Sequence, residues 1–137
     1  MKAIVVYWTA TGNTEAIANK IASDTNATVK NVGEVSVEEV LGYDTIILGC
    51  PAMGSEELED GEFKPFYDEL IQKVENRRIF LFGSYGWGDG EWMRNWVERM
   101  TAAGAVVVGG EGVTCQDAPD AEAEAACKEL GKALAAV

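Results

Sequence analysis

The sequence predicts an α/β protein: a doubly wound sheet of five parallel strands with helices on both faces. Apolar runs of strand length alternate with segments of helical periodicity along the 137 residues, and such alternation implies parallel pairing through crossover helices. Two of the strand runs, 45–49 and 78–83, are almost continuously apolar, the pattern of strands buried on both faces. Three unusual loops, starting at Thr9, Pro51 and Ser84, each follow a strand directly. In a doubly wound sheet they therefore meet at one edge, beyond the carboxyl ends of the strands, where such sheets bind ligands. No linker, repeat or low-complexity tract divides the chain, so residues 1–137 read as one domain, long enough to bury a core.

Ala3-Ile4-Val5-Val6-Tyr7 has the β-branched and aromatic content of a buried strand. The segment Glu15 to Ala22 follows as a helix, with Ile17 and Ile21 four apart on one face. Ala27 to Val32 alternates like a half-exposed strand, and Val35, Val37, Val40 and Leu41 make a short helical connection. Thr45-Ile46-Ile47-Leu48-Gly49 is the central strand. The loop from Cys50 to Lys64 carries Glu56, Glu57, Glu59, Asp60 and Glu62, and Pro65 suits the first turn of a helix through Phe66, Leu70, Ile71 and Val74. Arg78 to Gly83 is the next strand. A glycine-rich loop, Ser84 to Gly90, leads into a helix from Glu91 to Ala103. The last strand opens at Ala105 and runs on to Val113 and Thr114, and Asp120 to Ala136 reads as a terminal helix.

Composition narrows the function. A hydrophobic fraction of 47% and a charged fraction of 25% are those of an ordinary soluble domain. A net charge of −12 argues against nucleic acid or anionic membrane as a partner, since both repel such a surface. The absence of histidine removes the commonest general base and metal ligand. Cys50, Cys115 and Cys127 are widely spaced and odd in number, which suggests reduced thiols rather than a disulfide framework or a zinc site. With the chain opening on a strand and no apolar segment of membrane-spanning length, a cytoplasmic location is expected.

The strand-to-helix turn Trp8-Thr9-Ala10-Thr11-Gly12-Asn13-Thr14 is the most informative stretch. A helix N-terminus presents unpaired N–H groups and a partial positive charge, which suit a phosphate. The hydroxyls of Thr9, Thr11 and Thr14 and the amide of Asn13 add donors, and Gly12 lets the backbone approach closely. With no Lys or Arg in the stretch, a phosphate here is held by neutral donors. The plainer reading is an ordinary helix cap, a position that Ser, Thr and Asn favour anyway. Neighbouring motifs fail on spacing. Gly86, Gly88 and Gly90 do not complete the dinucleotide fingerprint, and Ser55 stands where a P-loop needs lysine. A phospho-acceptor receiver domain needs an aspartate after the third strand, where this chain has Gly49-Cys50-Pro51.

Taken together, Thr9 to Thr14, Ala52-Met53-Gly54-Ser55-Glu56 and Gly83 to Gly90 resemble the loops of flavodoxins, specifically the short-chain type of anaerobic bacteria. The resemblance spans the chain and implies strand order 2-1-3-4-5, a non-covalently bound FMN, and low-potential one-electron transfer between redox enzymes in place of ferredoxin. It implies no catalytic residue and no metal. By position, Thr9, Ala10, Thr11, Gly12, Asn13 and Thr14 would surround the FMN phosphate. Met53 would pack on the inner face of the flavin ring and Trp87 on the outer face. The Gly54–Ser55 peptide would lie near N5, and Glu56 would accept from N3. Pro51 and Ala52 would open the second loop. Backbone groups of Gly86 and Gly88 would border the pyrimidine end of the ring, and Ser84 and Tyr85 would complete the cofactor-binding set. Two positions depart from the usual family residues: Ala10 is often glycine, and Pro51 replaces a serine that could donate to the phosphate.

The physical reading runs beside the analogy. A flat ring favours aromatic and apolar walls, and Trp87, set between glycines in a polar loop, is better placed to stack than to fill a core. Met53 suits either role, as does Tyr85, whereas Trp92 and Trp96, four apart on a helix, read as scaffold. The acidic loop reads as a solvated face that also adjoins the flavin edge. Expected partners are basic surfaces of redox proteins, met transiently by a monomer. A flavoenzyme such as a quinone reductase is the alternative, but the chain has little material for a substrate pocket and a nicotinamide site.

Overall fold

The architecture comes from a computed structural model, described at residues 3–9, 12–25, 27–51, 61–85, 90–107, 112–116, 125, 128 and 129. Strands β1 (Ala3–Tyr7), β2 (Thr28–Asn31), β3 (Thr45–Gly49), β4 (Arg78–Tyr85), β5 (Val106–Val107) and β6 (Val113–Gln116) alternate with helices α1 (Asn13–Thr25), α2 (Val37–Leu41), α3 (Phe63–Leu70) and α4 (Glu91–Ala102). The strands lie in the order β2-β1-β3-β4-β5, and every pairing is parallel. The doubly wound sheet expected from the sequence is therefore the sheet observed.

The fifth position differs in detail. It is occupied by two short strands, β5 beside Arg78 and Ile79 and β6 beside Phe82 to Tyr85. Continuing the register of Ile79 with Val107 would set Phe82 opposite residue 110, but it lies opposite Val113. The register along this edge therefore advances by three additional residues between Val107 and Val113. Of the terminal helix expected over 120–136, residues 125, 128 and 129 are described and are helical.

Side chains alternate across each strand, and the two faces bury different sets. Val5, Tyr7, Ile47, Phe80 and Phe82 point toward α1 and its Ile17, Ala18 and Ile21. Ile4, Val6, Ile46, Leu48, Ile79 and Leu81 point toward Val37, Val40, Phe63, Tyr67, Leu70, Trp92, Trp96 and Met100 of the other helices. β1 and β3 are buried at every position, as their unbroken apolar runs require. Among the described residues β2 pairs only with β1 and stays partly exposed, which accounts for its alternating sequence. Trp92 and Trp96 are scaffold, almost wholly buried. The Trp96 ring meets Phe63 edge-on at 5.5 Å and Tyr67 at 6.3 Å, geometries that aromatic pairs favour.

Gly49 closes β3 where a larger residue cannot stand. A Cβ there would lie 2.1 Å from the Phe82 ring, which fills the space between sheet and α1. Gly49→Ala is expected to destabilise the protein by about 1–3 kcal/mol through overpacking. Phe82→Leu added to Gly49→Ala should recover part of that loss, because it removes the clashing ring. Urea unfolding of the single and double variants measures both effects, and strictly additive losses would contradict this account.

Candidate functional site

Backbone hydrogen bonds bring the strand ends to one level. Trp8 N–H donates to the Gly49 carbonyl at 3.0 Å, extending the β1–β3 ladder one residue beyond β1. Cys50 N–H donates to the Phe82 carbonyl at 3.2 Å, extending the β3–β4 ladder likewise. The loops that leave β1, β3 and β4 therefore depart side by side. Trp92 Nε1 donates to the Cys50 carbonyl at 3.2 Å, so α4 anchors the end of β3. Gly83 allows this close approach: a Cβ there would lie 2.2 Å from the Cys50 carbonyl oxygen.

The first loop ends in a built helix head. Gly12 sits at φ +94°, the left-handed region that glycine enters without a steric penalty. Its N–H donates to Thr9 Oγ1 at 3.0 Å, so the Thr9 side chain closes the turn. Its carbonyl accepts from Ala16 N–H at 3.0 Å, the first bond of the α1 ladder. The N–H groups of residues 13–15 precede that ladder and point outward from the helix end. The space beside Gly12 is open: among the described residues, its chain neighbours apart, no atom lies within 4 Å of where a Cβ would stand. Thr14 and Ser84, from α1 and β4, are both buried and share a hydrogen bond of 3.0 Å between hydroxyl oxygens. The unpaired N–H groups of the first turn, the hydroxyls of Thr9 and Thr14 and the open space beside Gly12 fit a phosphate held by neutral donors.

A second polar link braces the same helix. Tyr7, the last residue of β1, donates its hydroxyl to Glu15 Oε2 at 2.8 Å. Glu15 lies in the first turn of α1, where a carboxylate complements the helix dipole. Burial raises the Tyr7 pKa first, and the hydrogen bond and charge of Glu15, with the charge of Glu34, raise it further. A hydrogen bond from the Asn31 side chain opposes them. Glu62, at the end of the acidic loop, accepts from Trp8 Nε1 at 3.3 Å, joining the first and second loops.

Of the residues expected at the site, Thr9, Gly12, Asn13, Thr14, Pro51, Ser84 and Tyr85 lie within the described residues, at the carboxyl edge of the sheet. The Tyr85 ring lies 5.5 Å from that of Trp92, on the face of the sheet away from α1. Pro51 offers no N–H, and its carbonyl accepts weakly from Cys50 Sγ at 3.5 Å. Ala10, Thr11, Ala52, Met53, Gly54, Ser55, Glu56, Gly86, Trp87 and Gly88 fall outside the described residues. The roles of Glu15, Glu62 and Trp92 at this edge were not anticipated. The signals for them were an acid directly after the Thr-rich turn, and glycines 49 and 83 at strand ends, which mark close approach. Among the described residues no cluster of Cys, Asp and Glu is arranged for a metal, and no helix is long and apolar enough to cross a membrane.

The flavodoxin family model matches residues 5–131. The chain belongs to the flavodoxin family. It is 48% identical to a flavodoxin of Clostridium beijerinckii over 136 residues, which cover 96% of this chain and 97% of that protein. A flavodoxin of Megasphaera elsdenii is also 48% identical, with 96% of each chain covered. The solution structure of the two-electron reduced M. elsdenii flavodoxin superposes with a TM-score of 0.86 at 44% identity, covering 98% of this chain and 99% of that one. The chain is thus an FMN-binding electron carrier rather than an enzyme with a substrate of its own, and it works with redox partner proteins.

Burial of Tyr7, together with its bond to Glu15, gives the chain a pH signature. The folded-state pKa of Tyr7 is raised, so the folded protein keeps a proton that the unfolded chain gives up near pH 10, the ordinary tyrosine value. Stability from this group is complete below about pH 10 and is lost as pH rises from there through the folded pKa. Tyr7→Phe should flatten part of the alkaline fall in stability and leave the part due to Tyr67, whose pKa burial also raises. Urea midpoints followed across alkaline pH for both proteins test this, and identical slopes would refute it.

Proposed function

We infer that this chain holds FMN through a phosphate seated at the head of α1 and carries single electrons at low potential, in place of ferredoxin. The observation that carries the phosphate assignment is the α1 head itself: outward N–H groups, Thr9 and Thr14 hydroxyls, and open space beside Gly12. Bound FMN supplies the one-electron chemistry. The protein's part is to bind and orient it and to exclude water from the ring. Thr9, Ala10, Thr11, Gly12, Asn13 and Thr14 hold the phosphate end. Pro51 and Ala52 open the second loop, Met53 and Trp87 face the two sides of the ring, and Gly54, Ser55 and Glu56 meet its polar edge. Ser84 and Tyr85 lead into the third loop, where backbone groups of Gly86 and Gly88 border the pyrimidine end. The net charge of −12 and the acidic second loop disfavour added negative charge at the ring, which supports a low potential. The same charge supports transient docking to basic partner surfaces by a cytoplasmic monomer, without nucleic acid or membrane.

Two measurements test this reading. Apoprotein titrated with FMN and with riboflavin should bind FMN at least about a hundredfold more tightly, the worth of charge-assisted hydrogen bonds to the phosphate. Equal affinities would remove the phosphate from the α1 head. Reduction by a basic partner should slow as salt rises, and neutralising Glu57, Glu59 and Asp60 together should reduce both the rate at low salt and its salt dependence. A rate indifferent to salt would leave the acidic loop a solubility feature.

A further inference from the structure

Thr14 and Ser84 are the only polar residues in the buried set at this edge of the sheet among the described residues. Their hydroxyl oxygens lie 3.0 Å apart, and either can be the donor. The placement of Ser84 follows from strand alternation. Phe82 and Ser84 face α1, whereas Tyr85, on the opposite face, packs on Trp92. Ser84 is thus the last side chain of β4 on the face that α1 covers, directly opposite the first turn of that helix.

A hydroxyl carries one proton and two lone pairs, so the pair has two states. If Thr14 donates to Ser84, its only proton is used inside the protein, and its oxygen turns a lone pair toward whatever lies at the helix head. If Ser84 donates to Thr14, the Thr14 proton is available there. An anion at the head of α1 stabilises the second state and opposes the first, and a donor that itself accepts a hydrogen bond is polarised into a stronger one. Burial of both groups keeps water from substituting for Ser84.

We propose that Ser84 is a positioning residue that acts through Thr14, donating to its hydroxyl so that the Thr14 proton is directed at the phosphate of the bound cofactor. This rests on the phosphate assignment above. It gives Ser84 a part in discriminating FMN from riboflavin without contact with the flavin ring.

The test is a pair of titrations on four proteins: wild type, Ser84→Ala, Thr14→Val and the double variant. Ser84→Ala is expected to weaken FMN binding about tenfold, the cost of losing one hydrogen bond's support at a charged group, while riboflavin binding stays within about twofold. In the Thr14→Val background, Ser84→Ala should cost FMN nothing further. The phosphorus resonance of bound FMN should also shift in Ser84→Ala. Equal losses for FMN and riboflavin would make Ser84 a packing residue and overturn the proposal. An undiminished loss in the Thr14→Val background would overturn it too, because Ser84 would then act on the cofactor directly. A wild-type protein that does not distinguish FMN from riboflavin would instead overturn the phosphate assignment. If Ser84→Ala does not fold, Ser84→Cys keeps the volume with a weak S–H donor, and it should lose FMN affinity selectively and to a lesser degree; no selective loss would overturn the proposal.

Discussion

A parallel sheet buried on both faces allows its chain only one kind of connection, and the site follows from it. Each strand must run the same way and return through a helix, so the loops at its carboxyl edge all begin where a buried strand ends. In this chain the ladders between β1, β3 and β4 run one residue past the strands, through Trp8 to Gly49 and Cys50 to Phe82. That fixes the starting points of the loops as rigidly as the core itself. A binding site set on such points inherits the precision of the sheet, and its loops can be polar or glycine-rich at no cost to the core.

Bringing the loops together requires close approach, and glycine provides it at two places. Gly49 yields its side-chain space to Phe82, which seals the sheet beneath α1. Gly83 yields its space to the Cys50 carbonyl, which Trp92 then satisfies. The two exchanges lie on opposite faces of neighbouring strands. Each face of the sheet is thus filled by a large aromatic residue that crowds against a missing Cβ.

The elements most legible in the sequence were those whose pattern follows from burial. The unbroken runs of β1 and β3, the half-exposed β2, and the paired tryptophans of α4 all lie where solvent exclusion puts them. The split at the sheet's fifth position was less legible. Val106, Val107 and Val113 read as one strand, while the three additional residues between them matter only through register against β4. At the site, the Thr-rich turn was legible because residue types and helix head coincide in a few positions. The Tyr7–Glu15 and Trp8–Glu62 bonds were not, because no local pattern distinguishes a carboxylate that reaches a distant partner from one that faces water. Ser84 stood out only as part of a loop signature, and its partner on α1 emerged from the alternation along β4.

The hydroxyl bond between Thr14 and Ser84 joins residues separated by 70 positions, and this bears on how the chain acquires its shape. β1 pairs with β3 about forty residues away, and β3 must pair with β4 before Ser84 reaches α1. Contacts of such sequence separation carry the loop-closure entropy that slows folding. The turn at the head of α1 is held by local bonds, Gly12 to Thr9 and Ala16 to Gly12, whereas the bond behind it needs β4 in place. A growing chain leaving the ribosome therefore carries Thr14 long before it carries Ser84, the residue to which that hydroxyl is bonded.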